Sequence, residues 1–239
     1  MRIGIIGAGN IGGTLTRRLT KLGHTVSVAN SRGPESLKQL EQETGAKPVT
    51  VKEAARAGEL VIVTIPMKHI KDLPPDLFKG TFENVVIVDT CNYYPQQRDG
   101  VIQVIEEGMP ESRWVAQQLG REVAQQLGRR VVKAFNNIYA QHLMDLGQPK
   151  GRAGRIALPV AGDDRDAKAL VMRIVDELGF DPVDAGTLDE SWRQQPGTPV
   201  YTKDLDAAAL RRALGEASPE RKPEWRATAQ SPGTYQRPA

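Results

Sequence analysis

Three glycines in this chain are spaced for chemistry: Gly7, Gly9 and Gly12 in Gly7-Ala8-Gly9-Asn10-Ile11-Gly12. At this spacing the first glycine permits a tight turn, the second lets backbone approach a ligand without a β-carbon intruding, and the third lets a helix pack on a strand. The free amides at the start of that helix, about Asn10 to Gly12, then point at whatever lies beyond the turn. The helix dipole favours an anion there. Placement strengthens the reading. The motif follows the apolar run Ile3 to Ile6, opens a helical pattern of Leu15, Leu19 and Leu22, and lies within a βαβ unit ending near Ala29. The expected ligand is the pyrophosphate of a dinucleotide.

The second strand of that unit ends in Val28-Ala29-Asn30-Ser31-Arg32-Gly33. An enzyme for the unphosphorylated dinucleotide usually puts a carboxylate here to bond both ribose hydroxyls. This chain offers Asn30, Ser31 and Arg32 instead. A carboxylate would repel a 2′-phosphate, whereas a guanidinium can grip it in a fork. The residues therefore predict NADP(H) over NAD(H), with Lys38 placed to add charge.

Other reactive side chains are scattered. Lys133, on an expected strand, is either a donor near the nicotinamide or a paired structural lysine. His69 follows a strand at its C-terminal end, where it could line the cofactor or cap a turn. His142 reads as a surface or packed helical histidine. Cys91 follows a strand and reads as a buried inert thiol. Between Trp192 and Thr198 the chain offers a stacking surface in Trp192 and an anion-binding group in Arg193, or simply a packed loop. No Cys/His cluster has metal-ligand spacing, so no protein-bound metal is expected.

The elements that must hold these groups alternate. Strands are expected at 3–6, 25–29, 48–51, 60–65, 85–89, 131–135, 155–160 and 182–184. Helices are expected at 12–22, 36–44, 52–57, 100–107, 112–119, 139–146, 163–178 and 205–217. Strand–helix alternation with wholly apolar strands predicts an α/β fold of the Rossmann type: a doubly wound, mostly parallel sheet with helices on both faces, in one compact domain over residues 1–217. Residues 218–239, rich in Pro, Arg, Gln and Ser, are expected to form a disordered tail.

Composition excludes several alternatives. Among 239 residues the net charge is only +3 and the basic residues are not clustered, so no nucleic-acid partner is expected. No apolar run reaches the length of a membrane helix. The single cysteine cannot form an intrachain disulfide, which fits a reducing, cytoplasmic setting. One short repeat stands out: residues 115–122 are followed at once by 123–130, with seven of eight positions identical. It reads as a tandem duplication, placed before the strand at Val131 and so away from the C-terminal strand ends where ligands bind.

The stretch from Met1 to Gly12, the Asn30-Ser31-Arg32 turn, Thr64-Ile65-Pro66-Met67-Lys68-His69 and Val132-Lys133-Ala134-Phe135-Asn136 together resemble the deazaflavin-dependent NADP oxidoreductases. The same pattern resembles the NADPH domain of the STEAP metalloreductases. The resemblance spans about residues 1–215. It implies hydride transfer between NADP(H) and a flavin- or deazaflavin-like acceptor. Gly9, Asn10, Ile11, Ser31 and Arg32 would hold cofactor phosphates. Thr64, Ile65 and Pro66 would border ribose and nicotinamide, and Ala134 and Asn136 would lie near the nicotinamide. Two other readings remain. One is a hydroxyacid- or imine-type dehydrogenase whose missing cleft wall comes from the partner of a homodimer. The other is a non-catalytic NADP(H)-sensing module.

Overall fold

A computed structural model of the chain describes residues 1–120 and 130–220. The second copy of the repeat, apart from Arg130, and the expected tail beyond residue 220 lie outside the described residues.

Among the described residues, eight strands form one sheet in the order β3-β2-β1-β4-β5-β6-β7-β8. They are β1 (Arg2–Ile6), β2 (Thr25–Ala29), β3 (Lys47–Pro48), β4 (Leu60–Val63), β5 (Val86–Asp89), β6 (Val131–Lys133), β7 (Ala157–Gly162) and β8 (Asp181–Asp184). All pairings are parallel except β6 with β7, where Lys133 faces Ala161 in antiparallel register. Strand order reverses at β1, which pairs β2 on one side and β4 on the other. The crevice beyond the carboxyl ends of the strands at such a reversal is the usual ligand position in open α/β sheets.

The α-helices among the described residues are α1 (Asn10–Lys21), α2 (Lys38–Thr44), α3 (Val51–Ala55), α4 (Gln103–Glu106), α5 (Glu111–Leu119), α6 (Ala140–Asp145), α7 (Arg165–Glu177) and α8 (Ala207–Glu216). Because side chains alternate across a strand, the wholly apolar central strands feed two cores. Ile3 and Ile5 of β1, Leu60 and Ile62 of β4, and Val86 and Val88 of β5 pack with Leu15 and Leu19 of α1 and Val171 and Ile174 of α7. On the other face Ile6, Val61, Val63 and Ile87 pack with Ala54 and Ala55 of α3 and Val115 and Leu119 of α5. A smaller cluster joins Ala157, Ala161 and Val183 to Leu210 and Leu214 of α8. Truncating one such fully buried leucine to alanine would cost about 2–5 kcal/mol.

Several element ends differ from the sequence expectation, and local chemistry accounts for them. β4 stops at Val63, ahead of Pro66. Val51 opens α3 rather than closing β3, because Thr50 caps the helix and exchanges hydrogen bonds with Glu53. β6 stops at Lys133, because Phe135 adopts φ 60° and leaves the ladder. Among the described residues no helix is long and apolar enough to cross a membrane.

Candidate cofactor cleft and acceptor ledge

The phosphate loop sits between β1 and α1. Gly7 has φ +110° and passes so close to β4 that an added Cβ would lie 2.1 Å from the Thr64 carbonyl oxygen. At Gly12 an added Cβ would lie 1.9 Å from the Gly7 carbonyl oxygen and 2.6 Å from Thr64 Cγ2. These two glycines are demanded by the fold itself. Gly9 differs. It caps α1 in ordinary extended backbone (φ −75°, ψ −161°), and an added Cβ would meet nothing within 4 Å. Neither backbone strain nor packing requires glycine there. The open space lies over the free amides of a 12-residue helix with no acidic residue in its first turn. A pyrophosphate fits that cradle on charge, donors and room.

On the β2 side of this loop a cleft of about 610 Å³ is lined by Gly7, Ala8 and Gly9, by Asn30, Ser31 and Arg32, by Thr64, Ile65 and Pro66, and by His69. Asn30 shapes its rim: its Oδ1 accepts from the Arg32 backbone N–H at 3.0 Å, and its Nδ2 donates to Ser36 Oγ at 2.8 Å. This Asx-type turn presents Arg32 at the surface. Among the described residues no carboxylate lies within ion-pair distance of its guanidinium. Lys38, the second expected cation, is paired with Glu35 at 2.5 Å. Arg17 of α1 is likewise held by Glu43, at 2.6 Å and 2.7 Å. Among the described residues of this rim, Arg32 is therefore the cation without an ion-pair partner.

On the other side of β1 the ends of β4, β5 and β6 form a ledge. Thr90 N donates to the Val63 carbonyl at 3.1 Å, and Ala134 N to the Asp89 carbonyl at 3.2 Å, which brings the three strand ends abreast. Asn136 is buried at its tip. Its Nδ2 donates to Asn92 Oδ1 at 3.0 Å and to the Gln194 carbonyl at 2.7 Å, while its Oδ1 accepts from Gln194 Nε2 at 2.9 Å. Asn92 Nδ2 donates back to the Asn136 carbonyl at 2.9 Å. This closed amide network holds Phe135 at φ 60°, a conformation that costs a bulky residue on the order of 1–3 kcal/mol. Thr202, at φ 55°, donates its backbone N–H to the Asn137 carbonyl at 2.9 Å in the same corner. Next to the network the Tyr94 and Tyr201 hydroxyls are hydrogen bonded to each other, and Arg98 lies 5.1 Å from the Tyr94 ring centroid.

The remaining sequence candidates fall in separate places. Lys133 is fully buried. It donates to Asp89 Oδ2 at 3.2 Å and to the Cys91 carbonyl, and Asp89 also accepts from Ser112 Oγ at 2.7 Å. Burial alone would drive the Lys133 ammonium down; Asp89, with Glu111, holds it above the ordinary lysine value. The side chain thus has the surroundings of a paired structural lysine. His69 lines the β2-side cleft, with Nδ1 2.9 Å from Asp72 Oδ2, and so stands on the β2 side rather than on the ledge. His142 pairs with Asp204 at 2.7 Å. Burial and Asp89 push the Cys91 thiol well up, which keeps it unreactive. Trp192 lines a separate recess of about 360 Å³ with Pro110, Gln195 and Pro196. Arg193 lies over the Trp192 ring and donates to the Leu214 carbonyl at 3.2 Å. Asn92, Tyr94, Arg98 and Tyr201 were not among the sequence candidates, and Gln194 entered only as part of the segment from Trp192 to Thr198. Their spacing carries no pattern, and the fold alone brings residues 92–98 to residues 194–201.

An open α/β sheet with a glycine-rich turn at its strand reversal, a free helix N-terminus and a cationic rim defines a Rossmann-type dinucleotide-binding domain. Residues 2–93 match the sequence model of the family described as NADP oxidoreductase coenzyme F420-dependent. The solved structure of protein SMa0349 from Sinorhizobium meliloti is 31% identical, with a TM-score of 0.70, and the match covers 84% of this chain and 93% of that one. The chain belongs to this family of NADP-dependent oxidoreductases. Protein YjhV of Escherichia coli (strain K12) is 50% identical over 66 residues, 28% of this chain. Metalloreductase STEAP3 of Rattus norvegicus is 26% identical over 187 residues, 78% of this chain. The chain spans 48% of the length of the first and 34% of the second.

Proposed function

We propose that this protein transfers hydride between NADP(H) and a flavin- or deazaflavin-like acceptor. The observation that carries the nucleotide assignment is Arg32: an unpaired guanidinium lining the same cleft as Gly7 and Gly9, where an NAD enzyme would present a carboxylate. In this reading Gly9, Asn10 and Ile11 receive the pyrophosphate on backbone amides, and Gly7 and Gly12 hold the turn. Asn30, Ser31 and Arg32 take the 2′-phosphate. Thr64, Ile65 and Pro66 border the ribose and nicotinamide, and Ala134 and Asn136 border the nicotinamide on the ledge. The bound dinucleotide supplies the hydride. The chain's own work is to fix its direction along the strand ends and to keep its reactive ring beside the amide network.

The family supports a flavin-type acceptor. Such a ring spreads the charge that it receives, so the protein's part is mainly positioning. A reducing, cytoplasmic setting and a homodimer closing the half-open crevice complete the proposal. The test is a screen of riboflavin, its 5-deaza analogue, quinones and ferric chelates, followed by NADPH absorbance. Steady oxidation with the flavin-type ring is expected, and NADH should be a poor substitute. If NADPH binds but no acceptor oxidises it, the protein is a nucleotide-sensing module instead.

A further inference from the structure

The site as described leaves the phenol pair at the far end of the ledge without a task. Tyr94 follows β5, and Tyr201 lies 107 positions further along the chain. The fold joins their hydroxyls directly. Asn92 Nδ2, which also donates to the Asn136 carbonyl at 2.9 Å, lies 3.4 Å from the Tyr201 hydroxyl. Arg98 fixes the Tyr94 side by donating to the Asn92 carbonyl at 2.6 Å. The pair is therefore tied into the network that ends β6.

A hydroxyl has one proton to give and two lone pairs to receive with. In a bonded pair one phenol donates to the other, and the second keeps its proton. Where Tyr94 is the donor, the Tyr201 oxygen receives from both Tyr94 and Asn92. Its lone pairs are then filled and its own O–H is left to give. Among the described residues no acceptor takes that proton. Burial pushes both phenols up from their ordinary value, so both stay protonated: the pair is a donor and not a base.

Its position says what it donates to. Arg32 fixes the adenosine on the β2 side of the phosphate loop, so the nicotinamide half runs over β4, β5 and β6 toward this pair. We propose that Tyr201, backed by Tyr94, gives its proton to a carbonyl oxygen of the acceptor, and that the acceptor is a conjugated carbonyl compound. In the step, the C4–H bond of the nicotinamide breaks and its hydride bonds to the acceptor's electron-poor ring atom. The electron pair displaced through the conjugated system arrives on the carbonyl oxygen. The Tyr201 O–H bond breaks and the proton bonds to that oxygen. NADPH is oxidised to NADP⁺, the acceptor gains the hydride with its two electrons and one further proton, and water restores the Tyr201 proton through Tyr94. The inference rests on the NADP(H) reading of the site.

The test uses the full chain with Tyr201→Phe and Tyr94→Phe, each checked by thermal melting, with riboflavin and 5-deazariboflavin as acceptors. Tyr201→Phe should lower kcat about a hundredfold, within the usual range for loss of a general acid. NADPH affinity should stay within about twofold of the wild type, because the phenol does not hold the dinucleotide. Imidazolium buffer should restore part of the rate. A readout independent of turnover is flavin fluorescence: riboflavin should bind the NADP⁺ complex of the variant about tenfold more weakly, the scale of one lost hydrogen bond. Tyr94→Phe should lower kcat about tenfold, and it carries the test if Tyr201→Phe does not fold. Folded variants with wild-type kcat and riboflavin affinity would overturn the proposal while leaving the NADP(H) reading intact. A wild type that binds NADPH but passes hydride to neither flavin nor deazaflavin would instead remove the hydride-transfer reading, and this inference with it.

Discussion

Replacing Gly9 by alanine separates what the fold needs from what a ligand needs. The substitution adds one methyl group at a position with ordinary extended backbone and nothing within 4 Å of the new carbon. The free protein should therefore tolerate it. The stability change should fall within roughly 0.5 kcal/mol, or become a gain of about 0.4–1 kcal/mol as the unfolded chain loses freedom. The methyl would stand over the amides at the start of α1, where the pyrophosphate must approach. Losing one charge-assisted amide–phosphate bond costs about 1.5–3 kcal/mol, so NADPH affinity should fall roughly tenfold to hundredfold. Gly12→Ala is the contrast. Its Cβ would meet the Gly7 carbonyl oxygen at 1.9 Å, and the strain should cost the free protein about 1–3 kcal/mol or more. The assays are urea denaturation without ligand and calorimetric titration with NADPH. A folded Gly9→Ala protein with unchanged NADPH affinity would refute the placement of the pyrophosphate. A destabilised one would refute the open space at Gly9.

Arg32→Ala should weaken NADPH binding by roughly tenfold to hundredfold and leave NADH binding almost unchanged; an equal loss for both nucleotides would remove the 2′-phosphate assignment. Lys133→Met strands the buried Asp89 carboxylate and should cost about 3–5 kcal/mol in urea denaturation. The sign of the pH dependence follows from Lys133 lying above its unfolded value in the folded state. Its contribution is complete below the unfolded lysine value of about 10.4 and is lost as pH rises through the folded one. Wild type should therefore shed stability above about pH 10.4 by a component that Lys133→Met lacks, and parallel profiles would count against the pair. Deleting residues 123–130, one copy of the repeat, should leave NADPH affinity unchanged in calorimetry, and a large loss would place that segment at the cleft.

Much of the fold could be read from local pattern. Apolar runs such as Leu60–Val63 read as strands because both of their faces are buried, and the glycine spacing named the turn because sterics at Gly7 and Gly12 leave no other residue. The direction of β7 could not be read, since an apolar run looks the same whichever way it pairs. The early end of β6 was hidden as well: Phe135 is held in the left-handed region by partners that arrive from residues 92 and 194. The site divides in the same way. Its phosphate half is one contiguous βαβ unit and is written in spacing. Its ledge is assembled from three strand ends and the segment 194–202, so Asn92, Tyr94, Gln194 and Tyr201 acquire meaning only once the chain is folded. Lys133 is the converse, a chemically suggestive residue whose two readings the sequence could not separate, since its partner Asp89 lies 44 positions away.

The cleft beside Gly9 and Arg32 should select the dinucleotide carrying the extra phosphate. Calorimetric titration of the wild-type chain with NADP⁺ and with NAD⁺ at one ionic strength tests it directly. NADP⁺ should bind tighter by at least about tenfold, with the difference shrinking as salt screens the guanidinium. Heat from neither nucleotide, or tighter binding of NAD⁺, would contradict it.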